Sequence, residues 1–185
     1  YPDYLVFYNG PHSGASAPDH MHFQAIPQGL LPLQNAINEF LDNNPQPLTS
    51  GQDARVYHFP LFCRGVYAFR SDTPKSLAKL FYRLVDCASI IEDEPEPRLN
   101  LYIYCYGNEY RCFVVLRSKV RSHHYYSKAE DHLTMTPGAA DMAGFFVCPK
   151  EEDFLKLNSN LLEEILDEVT ISAYDEKMVA WRLTR

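Results

Sequence analysis

Residues 99–118, LNLYIYCYGNEYRCFVVLRS, decide the fold class of this chain. Two runs, 99–106 and 109–118, are rich in aromatic and β-branched residues, which suit a pleated and half-buried surface. Between them lies Gly107-Asn108, and both of these residue types tolerate the positive φ angles that a two-residue turn needs. The segment therefore predicts an antiparallel β-hairpin, the strongest such signal in the sequence.

Further elements are predicted on both sides of this hairpin from apolar periodicity, turn residues and helix caps. The predicted strands cover residues 4–9, 20–26, 55–60, 65–70 and a short GFFVCP segment at 144–149. Predicted helices begin at Pro32, at Pro74 after a Thr73 cap and running to about Ile91, and in two or three places near the C-terminus, one of them after Ser172. The acidic segment 92–97 is predicted to be a solvated connector. Hairpins interleaved with helices indicate an α+β domain with an antiparallel sheet and flanking helices.

The composition of the 185 residues fits a folded domain and argues against several classes of protein. Hydrophobic residues make up 46% and aromatic residues 14%, enough for a packed core. The 24 acidic and 17 basic residues give a net charge of −7, which disfavours duplex DNA because phosphate neutralisation needs a basic surface. No apolar run approaches the ~18 residues of a membrane helix. We therefore expect no nucleic-acid and no membrane partner, while a small phosphorylated ligand needs only a local site.

The sequence contains five cysteines, Cys63, Cys87, Cys105, Cys112 and Cys148. None has the CxxC spacing of a zinc ribbon or a thioredoxin-like motif, and we interpret them as buried thiols of a cytoplasmic protein. The alternative is a disulfide between Cys105 and Cys112, which flank the hairpin turn. The chain opens at Tyr1, without methionine, directly in a predicted strand. We expect it to be the C-terminal portion of a longer protein.

The segment 9–24, NGPHSGASAPDHMHFQ, contains the residues that are best suited to catalysis or to ligand binding. Its first part is rich in Gly and Ser and can wrap backbone N–H groups around a phosphate. In the strand predicted at 20–26, the period of two places His20, His22 and Gln24 on one face. Two imidazoles at this spacing can be metal ligands, or one of them can be a nucleophile that attacks phosphorus.

The run HMHFQ at 20–24, preceded by Gly14-Ala15-Ser16, resembles the active-site motif of the glutamine-ending branch of the histidine-triad superfamily. That branch includes hexose-1-phosphate uridylyltransferases, diadenosine tetraphosphate phosphorylases and GDP-L-galactose phosphorylases. The sequence HMHFQA is most similar to the motif of the last group. The helix at 74–91, the hairpin and TPGAADMAGFFV at 136–147 resemble the C-terminal half of the diadenosine tetraphosphate phosphorylases. The histidine motif and this later block occur in the same order along the chain as in the family.

This resemblance implies a histidine-triad-like fold and a nucleotidyltransferase or phosphorylase activity. His22 would be the nucleophile, His20 would position it through a nearby main-chain carbonyl, and Gln24 would contact phosphoryl oxygens. The neutral amide of Gln24 suits transfer or phosphorolysis better than hydrolysis, because a histidine there could act as an acid. The implied substrate-binding residues are Asn9, Gly10, Gly14 and Ser16. The family has two residues between the loop serine and the first histidine, whereas three intervene here, which weakens the assignment of Ser16.

Two further positively charged residues, Arg117 and Lys119, follow the hairpin and are candidate phosphate contacts. The alternative for both is that they are solvated charges at a strand end. His123-His124 with Tyr125-Tyr126 are predicted to form a surface loop, with stacking on a base as the alternative. We assign no metal ligand among the site residues.

The implied reaction moves a nucleoside monophosphate from an NDP-hexose or a dinucleoside polyphosphate, through a nucleotidyl-histidine, to phosphate or a sugar phosphate. It requires no cofactor, and it is compatible with a divalent cation and with a homodimer. Residues 1–50 would form the end of the catalytic half, which carries the histidine motif. Residues 51–185 would form the C-terminal half, and the two halves would make one compact unit. The alternatives are a non-catalytic nucleotide-binding module and a structural domain stabilised by metal on His20 and His22.

Overall fold

The computed structural model describes residues 2–89, 91 and 93–185. In this part of the chain, seven antiparallel strands form one sheet in the order β2-β1-β6-β7-β5-β4-β3. The strands are β1 Tyr4–Asn9, β2 Phe23–Pro27, β3 Thr49–Ser50, β4 Ala54–His58, β5 Val66–Ser71, β6 Leu99–Tyr106 and β7 Glu109–Leu116. The helices are α1 Pro32–Asp42, α2 Pro74–Cys87, α3 Ala139–Met142, α4 Glu151–Phe154, α5 Ser159–Val169 and α6 Ala173–Leu183, with a 3₁₀ turn at His123–Tyr125. The α+β class with an antiparallel sheet is confirmed.

Strands β6 and β7 form the predicted hairpin in the interior of the sheet. Tyr106 pairs with Glu109, which leaves Gly107 and Asn108 as the two-residue turn. Gly107 has a φ of +58°, a left-handed conformation that glycine adopts without steric strain. β7 ends at Leu116, two residues before the predicted boundary. On the other side of the hairpin β1 pairs with β6, so strands from both sides of residue 50 lie in one sheet. The functional division of the chain at that residue stays a prediction.

Apolar side chains cover both faces of the sheet. On one face the sheet packs against α1, α3 and α5, and the rings of Tyr102 and Phe113 stack across the hairpin with centroids 4.2 Å apart. On the other face the sheet packs against α2 and α6. Because side chains alternate along a strand, consecutive residues of β1 and β2 contribute to opposite layers. The segment that contains the histidine motif therefore touches both faces of the sheet at its edge.

The predicted strands at 20–26 and 144–149 differ from the structure. β2 begins at Phe23 and not at residue 20, so His20 and His22 lie in an irregular segment before the strand. The reason is that β1 ends at Asn9, one residue beyond the pair of Tyr8 and Phe23, so residues 20 and 21 have no residue of β1 opposite them. The GFFVCP segment forms no strand, because the Val147 N–H donates to the carboxylate of Asp141 at 2.8 Å instead of joining a neighbouring strand.

Helix α2 begins as predicted, since the Thr73 hydroxyl accepts a hydrogen bond from the Ser76 N–H. It ends at Cys87 and does not continue to residue 91, because Ala88 has an extended backbone with ψ 150°. Residues 90 and 92, which belong to the predicted helix end and the acidic connector, lie outside the described residues.

The described part of the acidic connector forms contacts within the protein. Glu94 accepts hydrogen bonds from Arg98 at 3.0 and 3.1 Å, and these bonds lower the pKa of its carboxyl group. Glu96 accepts a 2.8 Å hydrogen bond from the Tyr8 hydroxyl. Burial, followed by this contact, raises the pKa of Tyr8 to about 12. The connector therefore packs against β1 and is more than a solvated linker.

The five cysteines are free thiols. Cys105 faces Tyr110 across the hairpin and Cys112 faces Ile103, so the two thiols are not opposite each other. The alternative of a disulfide across the hairpin is therefore wrong. Cys63 is buried, and burial raises its pKa to about 12. In residues 2–89, 91 and 93–185, none of the helices has the length and apolar character needed to cross a membrane.

Candidate functional site

The histidine motif lies at the edge of the sheet, directly before β2. His22 is half-buried, and its Nδ1 lies 3.3 Å from the main-chain oxygen of His20. A carbonyl oxygen can only accept a hydrogen bond, so Nδ1 donates the proton, and in the neutral ring the lone pair is on Nε2. This is the arrangement that a histidine nucleophile needs, and His20 supplies the carbonyl.

The ring of His20 is exposed, and its Nδ1 lies 3.1 Å from the carboxylate of Asp19. The ring centroids of His20 and His22 are 5.3 Å apart. Among the described residues, this pair does not belong to any group of three or more side chains with metal-ligating atoms close together. The geometry gives no third ligand for the alternative of a metal bound to His20 and His22.

Gln24 is exposed on β2, and its amide is oriented by Asn9 at the end of β1. The Asn9 amide donates to Gln24 Oε1 at 3.4 Å, which leaves the NH₂ group of Gln24 directed away from Asn9. Asn9 itself is buried, and its Oδ1 accepts from Asn100 at 2.8 Å and from the Ala139 N–H at 2.7 Å. Asn9 therefore positions Gln24, and it has no exposed group of its own for substrate.

The loop between β1 and the histidines is fixed at its start and has unused donors at its end. The Gly10 N–H donates to the Leu99 carbonyl at 3.0 Å, and the Ser13 N–H donates back to the Gly10 carbonyl at 2.9 Å. No hydrogen bond within the described residues uses the N–H groups of residues 14–16. The hydroxyl of Ser16, which is exposed, likewise makes no hydrogen bond in this part of the chain. These groups are available for a phosphate.

Gly14 holds this loop against the segment before α3. Its φ of +86° lies in the left-handed region, and a Cβ atom there would be 2.6 Å from Gly138 Cα. The close approach of the two backbones requires that Gly14 carry no side chain at this contact. It connects residues 10–16 to a part of the chain more than a hundred residues away.

Replacing Gly14 with alanine is expected to lower the free energy of unfolding by about 2–4 kcal/mol, from backbone strain together with steric overlap. Gly29 is the matched control, because its φ is +84° but nothing lies within 4 Å of an added Cβ. The same substitution at Gly29 should cause a loss of only about 1–2 kcal/mol. Urea unfolding of both variants measures the difference, and equal losses would show that the close contact is unimportant.

Arg117 is buried, and its guanidinium group is fully engaged inside the protein. It donates to Asn100 Oδ1 at 2.8 Å, to the Pro137 carbonyl at 3.0 Å and to the Ser13 carbonyl at 3.4 Å. Its remaining N–H groups donate to the carbonyls of Val169, Lys119 and Val120. Burial lowers the pKa of Arg117 to about 10, so the group stays charged at neutral pH. No donor is left for a phosphate, and the predicted substrate contact has no support in this geometry.

Lys119 is exposed, and its ammonium group pairs with Glu168 Oε1 on α5 at 2.9 Å. Within the described residues, no hydrogen bond joins Lys119 to residues 9–24. Its predicted contact with phosphate stays a prediction.

Asn100 is the positioning residue that sequence reasoning missed. It is fully buried in β6 and donates to Asn9 Oδ1 and to the Ser13 carbonyl, both at 2.8 Å. Its own Oδ1 accepts from Arg117. A polar residue inside the apolar run LNLYIYCY was the available signal, since a buried amide requires hydrogen-bond partners.

An apolar cavity of about 490 Å³ lies on the opposite face of the sheet edge, between α2 and strands β1, β2 and β6. Met21 and Phe23 line it together with Tyr8. These residues alternate with His22, Gln24 and Asn9, so the predicted division of residues 20–24 into two faces is present in the structure. The cavity lies behind the polar face of the motif.

Comparison with known proteins gives a family match and two structural similarities. Residues 1–27 match the model of a domain of unknown function, DUF4922. No curated protein sequence matches the chain. The structure is similar to yeast Ap4A phosphorylase Apa2, with a TM-score of 0.49 and 18% identity over 92% of this chain and 57% of that chain. It is also similar to a DUF4931 family protein from Bacillus cereus ATCC 10987, with a TM-score of 0.42 and 20% identity over 66% of this chain and 58% of that chain.

The chain spans less than two thirds of the length of either protein. At these identities and TM-scores, neither similarity assigns a substrate or a reaction to this chain.

Proposed function

We propose that this chain carries the nucleotidyl-transfer site of a phosphorylase-type nucleotidyltransferase. The observation that carries the proposal is the 3.3 Å contact between His22 Nδ1 and the His20 carbonyl. In the neutral ring this contact leaves the lone pair on His22 Nε2. Gln24 follows two residues later on the same face, and the loop before the motif has free N–H groups at residues 14–16. A neutral imidazole beside donors for anionic oxygens is suited to attack on phosphorus.

In the first step, Nε2 of His22 attacks the α-phosphorus of a nucleoside diphosphate conjugate. A phosphorus–nitrogen bond forms while the bond from phosphorus to the bridging oxygen breaks, and the leaving group departs with the electron pair as a phosphorylated fragment. The positive charge on the nucleotidyl-imidazole is shared with Nδ1–H, which the His20 carbonyl holds. This hydrogen bond favours the charged ring and so stabilises the intermediate.

Hydrogen-bond donors around the phosphorus make the second contribution to stabilising the transition state. Charge grows on the non-bridging oxygens as the nucleophile arrives, and donors fixed in advance stabilise that charge. The NH₂ group of Gln24 and the N–H groups of residues 14–16 are the candidates. Asn9 fixes the first of these donors, and the contact of Gly14 with Gly138 fixes the others.

In the second step, inorganic phosphate or a sugar phosphate attacks the same phosphorus from the side that the leaving group vacated. The phosphorus–nitrogen bond breaks, His22 recovers its lone pair, and a nucleoside diphosphate or a new nucleotide conjugate leaves. Gln24 carries no proton that it could transfer as an acid, which suits an acceptor that is already anionic. The substrate classes are NDP-hexoses and dinucleoside polyphosphates.

The direct test is covalent labelling. The protein is incubated with α-³²P-labelled nucleotide sugars or dinucleoside polyphosphates, without an acceptor and then with phosphate. We expect an acid-labile label on His22 that phosphate releases as nucleoside diphosphate. Saturable binding of the same compounds without any label on histidine would overturn the catalytic assignment.

Replacing Gln24 with glutamate is expected to slow labelling by about 10²–10³-fold. The carboxylate can still accept from Asn9, but it offers no hydrogen to the phosphoryl oxygens and it places a negative charge beside them. Single-turnover labelling measures the effect. The same exchange at Gln52, an exposed residue outside the site, is the control and should leave the rate within twofold. An unchanged rate in the Gln24→Glu variant would remove Gln24 from the site.

A second function, a nucleotide-binding module without catalysis, is favoured by one observation. β2 is the last strand of the sheet, and both His20 and Gln24 are exposed, so nothing in the described residues covers the polar face of the motif. The labelling experiment separates the two functions. The proposed reaction requires no cofactor, and it is compatible with a divalent cation, a homodimer and a cytoplasmic location.

A further inference from the structure

A second group of histidines lies in the 3₁₀ turn at His123–Tyr125, which the proposed nucleotidyl transfer does not use. His124 is buried, with 7% of its surface exposed, and His123 is exposed. Their ring centroids are 4.0 Å apart. Helix α5 presents Glu164 and Glu168 to the same pair.

Each of these imidazoles is held through its Nδ1 atom. His123 Nδ1 lies 2.7 Å from Glu168 Oε2, and His124 Nδ1 lies 3.1 Å from the main-chain oxygen of Asp131. A main-chain oxygen only accepts, and so does a carboxylate that is ionised. The Glu168 carboxylate acts as an acceptor, since it also accepts from the Lys119 ammonium group at 2.9 Å and from the His123 N–H at 3.0 Å. Both Nδ1 atoms therefore donate, and both Nε2 atoms are left to bind something else.

The two Nε2 atoms face a single carboxylate. Glu164 Oε1 lies 3.4 Å from His124 Nε2 and 3.9 Å from His123 Nε2. His124 Nε2 is buried and has no hydrogen-bond partner among the described residues. Lone pairs on two nitrogens and an anionic oxygen repel one another at these distances unless a cation lies between them.

We propose that His123, His124 and Glu164 bind one divalent transition-metal ion of the Zn²⁺ class. Ligands at about 2.0–2.2 Å around a tetrahedral ion lie about 3.3–3.5 Å from each other. The 3.4 Å distance between His124 Nε2 and Glu164 Oε1 matches this spacing. Binding requires the exposed side chains of His123 and Glu164 to move until the His123 Nε2 atom reaches the same spacing from the other two donor atoms. Imidazole and carboxylate together suit Zn²⁺ and Co²⁺.

The contacts behind the two rings fit the same assignment. Metal-ligating histidines donate their other N–H to a carboxylate or a backbone carbonyl, which is what Glu168 and Asp131 accept here. One donor atom from each of His123, His124 and Asp131 lies within 4.8 Å of the others. However, the Asp131 carboxylate lies on the Nδ1 side of His124, at 3.6 Å, so we assign it an orienting role. The ion would join the 3₁₀ turn to α5, in contrast to the surface loop without metal that the sequence predicted.

The test uses the whole chain after treatment with a chelator. Calorimetric titration with Zn²⁺ should give one ion per chain, thermal denaturation should show a higher Tm with Zn²⁺, and Co²⁺ should give the visible absorption of a tetrahedral site. Absence of saturable binding would overturn the proposal and leave a proton as the cation between these groups.

Single variants then identify the ligands. Glu164→Gln should weaken Zn²⁺ binding by at least ~10-fold. Glu163→Gln removes the same charge from the exposed neighbouring position and should bind Zn²⁺ as the unchanged protein does. A double variant without His20 and His22 should also bind normally, which separates this site from the histidine motif. A larger loss in Asp131→Asn than in Glu164→Gln, or equal losses in the two glutamate variants, would overturn the ligand set.

Discussion

Replacing His22 with alanine is expected to reduce nucleotidyl transfer by about 10⁴–10⁶-fold, the size of effect seen when a covalent nucleophile is removed. The imidazole is half-buried and its one hydrogen bond is to the neighbouring His20 carbonyl. Its loss leaves no buried group unpaired, so the free energy of unfolding should change by less than ~1 kcal/mol. Turnover with phosphate as acceptor and urea unfolding measure the two quantities on the same preparation.

Met21→Ala is the matched control for this experiment. Met21 is the adjacent residue, but it lines the apolar cavity on the other face of the sheet edge. Its substitution should change turnover by no more than a few-fold. Activity of His22→Ala within tenfold of the unchanged protein would remove the nucleophile assignment, whatever the behaviour of the control.

Replacing Arg117 with methionine is expected to lower the free energy of unfolding by about 3–5 kcal/mol, as for other buried charged networks that lose one member. Methionine fills much of the volume but offers no donor. The carbonyls of Ser13 and Pro137 and the amide oxygen of Asn100 would then stay buried without their partner. Each unpaired buried acceptor contributes about 1–3 kcal/mol of destabilisation.

Arg55→Met provides the comparison, because Arg55 is exposed on β4 and its loss should change stability by less than ~0.5 kcal/mol. Denaturant unfolding distinguishes the structural role of Arg117 from the substrate contact that its position after the hairpin predicted. Weaker nucleotide binding with unchanged stability in Arg117→Met would support the substrate contact and contradict the structural role.

Features that depend on neighbouring residues could be predicted from the sequence. Gly107-Asn108 placed the hairpin turn, and Thr73 and Ser172 placed the starts of α2 and α6. Turn and cap preferences act within a few residues, so they are visible in the printed sequence. The contact of His22 with the His20 carbonyl was expected only from the resemblance of the motif, since turn and cap preferences do not predict it.

Features that depend on distant partners could not be predicted in the same way. The start of β2 is set by where β1 ends, and the GFFVCP segment lacks a strand to pair with. Arg117 resembles a strand-end charge in the sequence, and only the fold encloses it with carbonyl groups from three other segments. The histidine pair in the 3₁₀ turn likewise acquires its carboxylates from a helix some forty residues later.

The hydrogen bond between Asn9 and Ala139 has a consequence for how the protein is made. The two residues are separated by 130 positions, and Asn9 is also bonded to Asn100, 91 positions away. A ribosome adds roughly 5–20 residues per second, so the partner of Asn9 emerges many seconds after Asn9 itself. Until then Asn9, which orients Gln24, lacks one of its buried hydrogen-bond partners. Completion of the hydrogen bonds behind the histidine motif is therefore a late event in synthesis, which requires residue 139 to have been added.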